Sequence, residues 1–541
     1  MYRCSNCGAG MRYDISSKKL KCDYCGSDCP VDDHPLQQAE ARRDDYEVMV
    51  FSCPQCGGQI RSTDNAATDF CSYCGASVVL EGKLVNEKKP AYIIPFSRTK
   101  KECKEIFSQC VQKAWCVLDA YKDPEKLDKF TGIYMPYWVY DVSQHAEPTL
   151  KGSRRDGNYV EHCNLSFKID HNYKYISYDA AAGFSDDLSD VINNYSREDI
   201  KDFNSAYLSG FYADSPDVRE KTYMEEAANA SCDMTMAAVR KEYPGVTIQK
   251  VEDPVSEFNA MVENVKEALF PVWFLTWRDK NRVSYAVING QTAKTAADLP
   301  VSLPKFLLFS VLFALPFSVL FYLLPSIHPA TTLGIYLVAG IWAILQNNSI
   351  AKTYISREAH LTDKGLLLST ESGRKQWNAD LERKKAKEAE EKRKREERSK
   401  KSKSGSCAVI MIFFISTFVM IFITALLEAY ADTLENFLRL LLEYAVPGTA
   451  IILSVVILHK LYRKSAQYDL IRTILPDTLF LSVTVAAASV VLLMHPVEDL
   501  LYYIASLTVF AGIMIGYLGI FRRFNLSCTR PIPNYHERGN R

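Results

Sequence analysis

A chain of 541 residues with 48% hydrophobic residues can bury several cores, which excludes a wholly disordered protein. Its 64 Lys and Arg balance 64 Asp and Glu, so no overall field draws it to nucleic acid. The balance hides a division: residues 1–300 read as soluble, whereas 306–521 carry repeated apolar runs of membrane-spanning length.

Met1-Tyr2-Arg3-Cys4 leads straight into a cysteine motif with no apolar leader, so the N-terminus is expected in the cytosol. Cys4-x2-Cys7-x14-Cys22-x2-Cys25 recurs with the same spacing as Cys53-x2-Cys56-x14-Cys71-x2-Cys74. In a reducing compartment, paired Cys-x2-Cys turns point to metal rather than to disulfides. Zinc takes four thiolates at tetrahedral positions, and two such turns supply them at low strain. Glycine follows the second cysteine of each pair (Gly8, Gly26, Gly57, Gly75), where a knuckle needs positive φ. The expectation is two zinc ribbons, 1–29 and 51–81, joined by a linker over 30–50. Each holds one structural Zn2+, through Cys4, Cys7, Cys22 and Cys25 and through Cys53, Cys56, Cys71 and Cys74. With every coordination position filled by protein, neither site is open for catalysis. Cys29 reads as a spare thiol.

Residues 91–300 read as a cytoplasmic mixed α/β domain. Thr99 to Leu118 has helical spacing, with Ile106, Cys110, Ala114 and Leu118 on one side. Ile133 to Val142 is aromatic and β-branched, hence a strand, and Arg155-Asp156-Gly157-Asn158 is a hairpin turn. Pro216 suits the first turn of a helix running to Tyr243, before Pro244-Gly245. Phe270 to Trp277 and Arg282 to Asn289 form a strand pair, and Pro136-Tyr137-Trp138 is faintly echoed by Pro271-Val272-Trp273.

Six apolar segments follow: 306–324 and 330–347, then 407–427, 439–458, 477–494 and 500–521 within 406–521. Each approaches the ~20 residues a helix needs to cross the hydrocarbon core. The loops 348–405 and 459–476 and the tail 522–541, beginning Arg522-Arg523, are basic, and the alternate loops are not. By the positive-inside rule this gives a multi-pass cell-membrane protein with both termini cytoplasmic. Glu388–Lys392, Glu390–Lys394 and Glu391–Arg395 are helix-stabilising pairs, so the basic loop reads as a solvated helix or arm, with anionic headgroups as the alternative contact. Arg439 and Glu443 stand one turn apart at an interface, and Asn347, Asn348 and Asp477 fall near span ends. Few ionisable groups at mid-span argue against a transporter.

Cys53-Pro54-Gln55-Cys56-Gly57 and its partner pair resemble a TFIIB-type zinc ribbon. The chain resembles a family of bacterial zinc-ribbon multi-pass membrane proteins of unassigned biochemical role. Tyr92-Ile93-Ile94-Pro95-Phe96, Gly132 to Trp138, Ala206-Tyr207-Leu208-Ser209-Gly210, Asn289-Gly290-Gln291-Thr292 and Thr529 to Pro533 extend the likeness. Some relatives carry a large extracytoplasmic domain; the corresponding loops here are short.

Other chemistry is sparse. No Gly-x4-Gly-Lys-Ser/Thr loop is present, which excludes a helicase of the phosphate-loop kind, and no Gly-x-Ser-x-Gly elbow occurs. His145, His162 and His171 lack ligand spacing, Cys103, Cys110, Cys116 and Cys163 lack pairing, and Asp186, Asp187 and Asp190 beside the tyrosines of 173–178 suggest a polar loop or a cation or carbohydrate surface. The fold class expected is multidomain: two small β zinc ribbons, a mixed α/β soluble domain and an α-helical six-span membrane domain. The function expected is a non-enzymatic, membrane-anchored platform that binds a protein partner. A tethered nucleic-acid binder is the alternative, disfavoured because residues 51–81 hold a single basic residue, Arg61. An enzyme with an unrecognised site in 91–300 is the residual reading.

Overall fold

The computed structural model describes residues 2–34, 44–63, 70–77, 81–114, 116–157, 159–322, 328–361, 363–369 and 444–533, with Tyr535 and scattered positions between 371 and 382. The chain divides into two compact units: 1–299 with 362–371 and 528–541, and 300–361 with 372–527.

The first unit is built on a twelve-stranded mixed sheet. Its centre is the antiparallel pair Thr131–Ala146 and Ala260–Asp279, with Pro271 opposite Tyr134 and Leu269 opposite Pro136. The two Pro-x-Trp motifs therefore lie on neighbouring strands. Ala260–Asp279 turns at Lys280, held at φ 52, into Arg282–Asn289. Tyr137, Phe270, Phe274 and Val287 are buried on this sheet, as expected of aromatic and β-branched residues on a pleated surface. The hairpin Thr149–Asp156/Tyr159–Ser166, with Gly157 at φ 57, forms a separate three-stranded sheet with Val246–Ile248.

Three expectations change here. Residues 45–50, expected in the linker, and 82–88, expected as a polar lead into the next domain, belong to the strands Asp45–Ser52 and Glu81–Lys88. With Gln59–Ser62 they continue the large sheet. Alternation in Asp45–Ser52, with Tyr46 and Val48 buried and Asp45 and Glu47 exposed, is the strand signal. The helix near residue 100 is Lys100–Lys113 and buries Cys103, Phe107 and Val111, leaving Cys110 exposed. Its phase follows from a capping box between Thr99 and Glu102 and from Phe107 stacking on Trp277, 5.6 Å between centroids. The helix expected from Pro216 is Met224–Glu242, because the N–H groups of Asp217 and Val218 bond to the Ala180 carbonyl at 2.9 and 3.0 Å.

The second unit is helical. Pro329–Glu358, Val446–Gln467, Ile471–Met494 and Asp499–Ser527 are each long and apolar enough to cross a membrane, and Leu303–Tyr322 precedes them. Six spans were expected; four membrane-capable helices are found among the described residues. The segment 407–427, most of the basic loop, Arg439 and Glu443 lie outside those residues. The span placed at 439–458 is Val446–Gln467, with Pro447 in its first turn, where a missing N–H costs nothing. Apolar side chains lie on both sides of these helices. Val338, Trp342, Ile452, Val483 and Leu507 point outward, while Leu337, Leu481 and Val509 are buried together with the small residues Ala343, Ala450, Ala488 and Ser489. Small residues of this kind let membrane-capable helices approach closely.

Candidate metal centres

Both cysteine quartets assemble. In each, the four sulfurs lie within 4.8 Å of one another. Cys4 and Cys25 Sγ are 3.6 Å apart and Cys7 and Cys22 3.5 Å; in the second quartet Cys53–Cys74 is 3.8 Å and Cys56–Cys71 3.7 Å. Four sulfurs ~2.3 Å from a tetrahedral centre stand ~3.8 Å apart, so each cage has the size of a zinc tetrathiolate. A disulfide needs sulfurs at ~2.05 Å, and the cysteines are free. Gly8, Gly26, Gly57 and Gly75 all have φ between 74 and 67 or, for Gly8, 75 degrees. The knuckles close through Gly8 N–H to Cys4 O (2.8 Å), Gly26 to Cys22 (3.0 Å), Gly57 to Cys53 (2.8 Å) and Gly75 to Cys71 (2.9 Å).

The two motifs share spacing but not surroundings. The first sits on the hairpin Met11–Asp14/Lys19–Cys22, with Cys4 and Cys22 buried and Cys7 and Cys25 exposed. The hairpin leans on Ser205–Leu208 and the residues after it: Tyr13 N–H donates to Ser209 O (2.9 Å), and Ser209 Oγ donates to Met11 O (2.6 Å). All four cysteines of the second motif are buried. Its outer knuckle presses on the large sheet, where Tyr285 Oη donates to Tyr73 O at 2.7 Å and Thr276 Oγ1 donates to Ser72 O. On the other side Tyr535 N–H donates to Cys56 O at 2.6 Å, so part of the expected tail belongs to this site. The tail also adds the strand Arg530–Pro531 beside Arg282–Asn289.

Hydrogen bonds at each quartet favour the charged form at one thiol, Cys25 in the first and Cys74 in the second, and disfavour it at neighbouring thiols. The Ser27 hydroxyl, 3.1 Å away, leads in pulling the Cys25 thiol down to about 6. In the second quartet the hydrogen bond from Cys56 pulls Cys74 far down, while Cys56 pushes its other neighbour, Cys71, up.

The remaining sequence candidates scatter. His145 Nδ1 pairs with Asp170 at 2.9 Å on the surface, His171 packs edge-on to Tyr173, and His162 is exposed in the other sheet. Cys103, Cys110, Cys116 and Cys163 form no metal-holding group among the described residues. Asp186 accepts from Tyr223 Oη at 3.1 Å and from Lys364 N–H at 2.9 Å. Buried Asp179 beside it is pushed well above the carboxylate range, by burial first and then by Asp186 and Asp363.

One constellation escaped the sequence. Arg523, expected to open the tail, lies inside Asp499–Ser527 with its side chain fully buried. It pairs with Asp477 Oδ2 at 2.6 Å, donates to Thr473 O at 3.3 Å and donates to Asn347 Oδ1. Asn347 Nδ2 donates to Thr478 Oγ1 at 2.8 Å, so three helices share one network. A Cβ on Gly519 would fall on the Asp477 carboxylate, which makes that glycine necessary for the approach. The signal available in sequence was Asp477 and Arg523, opposite charges inside apolar windows of different helices.

No protein-family profile matches the chain, and no solved structure matches it. The chain is similar to an uncharacterized protein, YdjG, of Bacillus subtilis strain 168, at 26% identity over 312 residues, which cover 56% of this chain and 91% of that one.

Proposed function

We propose that the protein is a membrane-anchored zinc protein whose two TFIIB-like ribbons and large sheet form a cytoplasmic platform for a protein partner. The observation that carries the zinc assignment is the pair of quartets whose sulfur spacing matches a tetrathiolate cage. Cys4, Cys7, Cys22 and Cys25 would hold one ion, and Cys53, Cys56, Cys71 and Cys74 the other. Bound zinc would supply folding energy to loops too small to fold on apolar burial.

A protein partner is favoured over nucleic acid by the charges of the first ribbon. Arg12 lies 3.7 Å from Asp23 and Lys19 3.0 Å from Asp28, so its cations are partly neutralised, while Tyr24 between two ligands is 84% exposed. The placement of both termini in the cytosol rests on the basic segments 348–405, 459–476 and 522–541, which alternate with connections that lack Lys and Arg. Four membrane-capable helices are described, and the apolar stretches 306–324 and 407–427 would complete six spans.

The test is metal analysis of purified full-length protein, with two zinc per chain expected. Cys53→Ser/Cys56→Ser should lose one zinc, and its pull-down should lose partners that the intact chain recovers. Zinc-free protein would end the metal assignment, and an unchanged partner set would end the platform.

A further inference from the structure

Beside the bulged strand Ile169–Asp179 the soluble unit holds an open cavity of about 320 Å3. That volume is in the range of small-ligand sites, ~300–1,000 Å3. Its lining ranges from buried Phe270 through half-buried Tyr175, Tyr178 and Tyr195 to Asp190 and Arg197, which are exposed residues. The strand is distorted to make this lining. Its register shifts between Tyr173 and Ile176, and Tyr175 is held at φ 62, a left-handed backbone that is costly for a bulky residue. The Tyr175 N–H donates to Asp141 Oδ1 at 3.2 Å, which secures the bulge. Regular alternation would send every second side chain to the opposite face, yet Tyr175 through Tyr178 all border the cavity.

The polar groups narrow what fits. Ser177 Oγ donates to Asn193 Oδ1 at 3.0 Å and Asn193 Nδ2 donates to Ser177 O at 2.8 Å, so the neutral hydrogen-bonding groups satisfy each other. Recognition is left to the rings and the charges. Asp190 and Arg197 have no opposite charge bound to them among the described residues. Although the residue as a whole is exposed, partial burial of its carboxyl, then Asp186 and Asp187, pushes Asp190 upward, so a cation beside it would be favoured. A simple anion would meet this acidic cluster, and a simple cation would leave Arg197 unused. A molecule with an ammonium and an acid group satisfies both.

We propose that the cavity binds a small zwitterion, with an organic ammonium group against the tyrosine rings and Asp190 and its carboxylate or phosphate on Arg197.

The test uses the full chain in nanodiscs of phosphatidylglycerol, a lipid without an ammonium group, titrated calorimetrically with glycine betaine and with phosphocholine. Tetramethylammonium, acetate and glucose serve as controls. Both zwitterions should bind, tetramethylammonium more weakly, and acetate and glucose not at all. Asp190→Asn should weaken betaine binding about tenfold, the loss of ~1.4 kcal/mol. Arg197→Gln should lower betaine to the affinity of tetramethylammonium. Circular dichroism of both variants should match the parent, which separates loss of binding from loss of fold. Nanodiscs containing phosphatidylcholine identify the source: competition with free betaine points to a lipid headgroup, and its absence to a soluble ligand. No binding of either zwitterion, equal binding by both variants, or binding of glucose in their place overturns the proposal.

Discussion

Deleting Asp477 should expose how much of the helical unit depends on one buried charge. The Arg523 side chain is 0% exposed and its guanidinium has three acceptors, of which only the Asp477 carboxylate, at 2.6 Å, is charged. Asp477→Leu leaves that cation buried against Thr473 O and the Asn347 amide, at a cost of about 3–5 kcal/mol, the range for breaking a buried pair from one side. Arg523→Leu leaves a carboxylate that is 16% exposed, so water relieves part of the penalty, and about 2–3 kcal/mol is expected. The double variant carries no stranded charge and should fall within about 1–2 kcal/mol of the parent. The two sites are therefore strongly non-additive, by about 3–7 kcal/mol. Unfolding of the full chain in mixed micelles, followed by circular dichroism over a denaturing-detergent titration, measures the cycle. If the single losses simply summed in the double variant, the pair would not be the buried contact described above.

The two metal centres should release zinc at different rates. A thiol-reactive mercurial with a chromogenic chelator should show two equal phases, with the Cys7/Cys25 site at least about tenfold faster because its sulfurs are exposed. A single phase would refute the contrast. Gly75→Ala should destabilise the soluble unit more than Gly8→Ala in thermal melts. Both lose a positive φ, costing ~1–2 kcal/mol, but only at position 75 does the new Cβ meet the sheet, 3.0 Å from Arg278 Cβ. Burial pushes both Asp214 and Glu267 up to about 7. Their unfolded values lie near ~4, so the folded state holds extra protons between these limits and stability falls as pH rises through that window. Asp214→Asn with Glu267→Gln should remove this decline, a gain of about 2 kcal/mol at pH ~8 after discounting for partial solvent access. Denaturation midpoints from pH ~4 to ~8 in zinc-saturated protein would check it, since low pH acts oppositely on thiolate–metal bonds.

Local patterns carried far in this chain. Two Cys-x2-Cys pairs with following glycines dictate knuckles wherever they fold, since the glycine φ and the thiol spacing are properties of a few neighbouring residues. The strands around Ile133–Val142 and Phe270–Trp277, the turn at Gly157 and the long apolar helices were equally legible, each being a short-range periodicity. The face of Lys100–Lys113 was misread because spacing alone allows adjacent phases, and Trp277, far along the chain, selects between them.

What the amino-acid order determined by itself is therefore the pair of thiolate clamps and the helices apolar enough for lipid, because each depends on residues close in sequence. The tertiary structure decided the rest. It buried one of two identically spaced quartets against the sheet and left half of the other exposed, and it carried Tyr535 back to Cys56. It also set Arg523 against Asp477 rather than in a basic tail. Those outcomes depend on which surfaces meet across hundreds of residues, and no local periodicity encodes that.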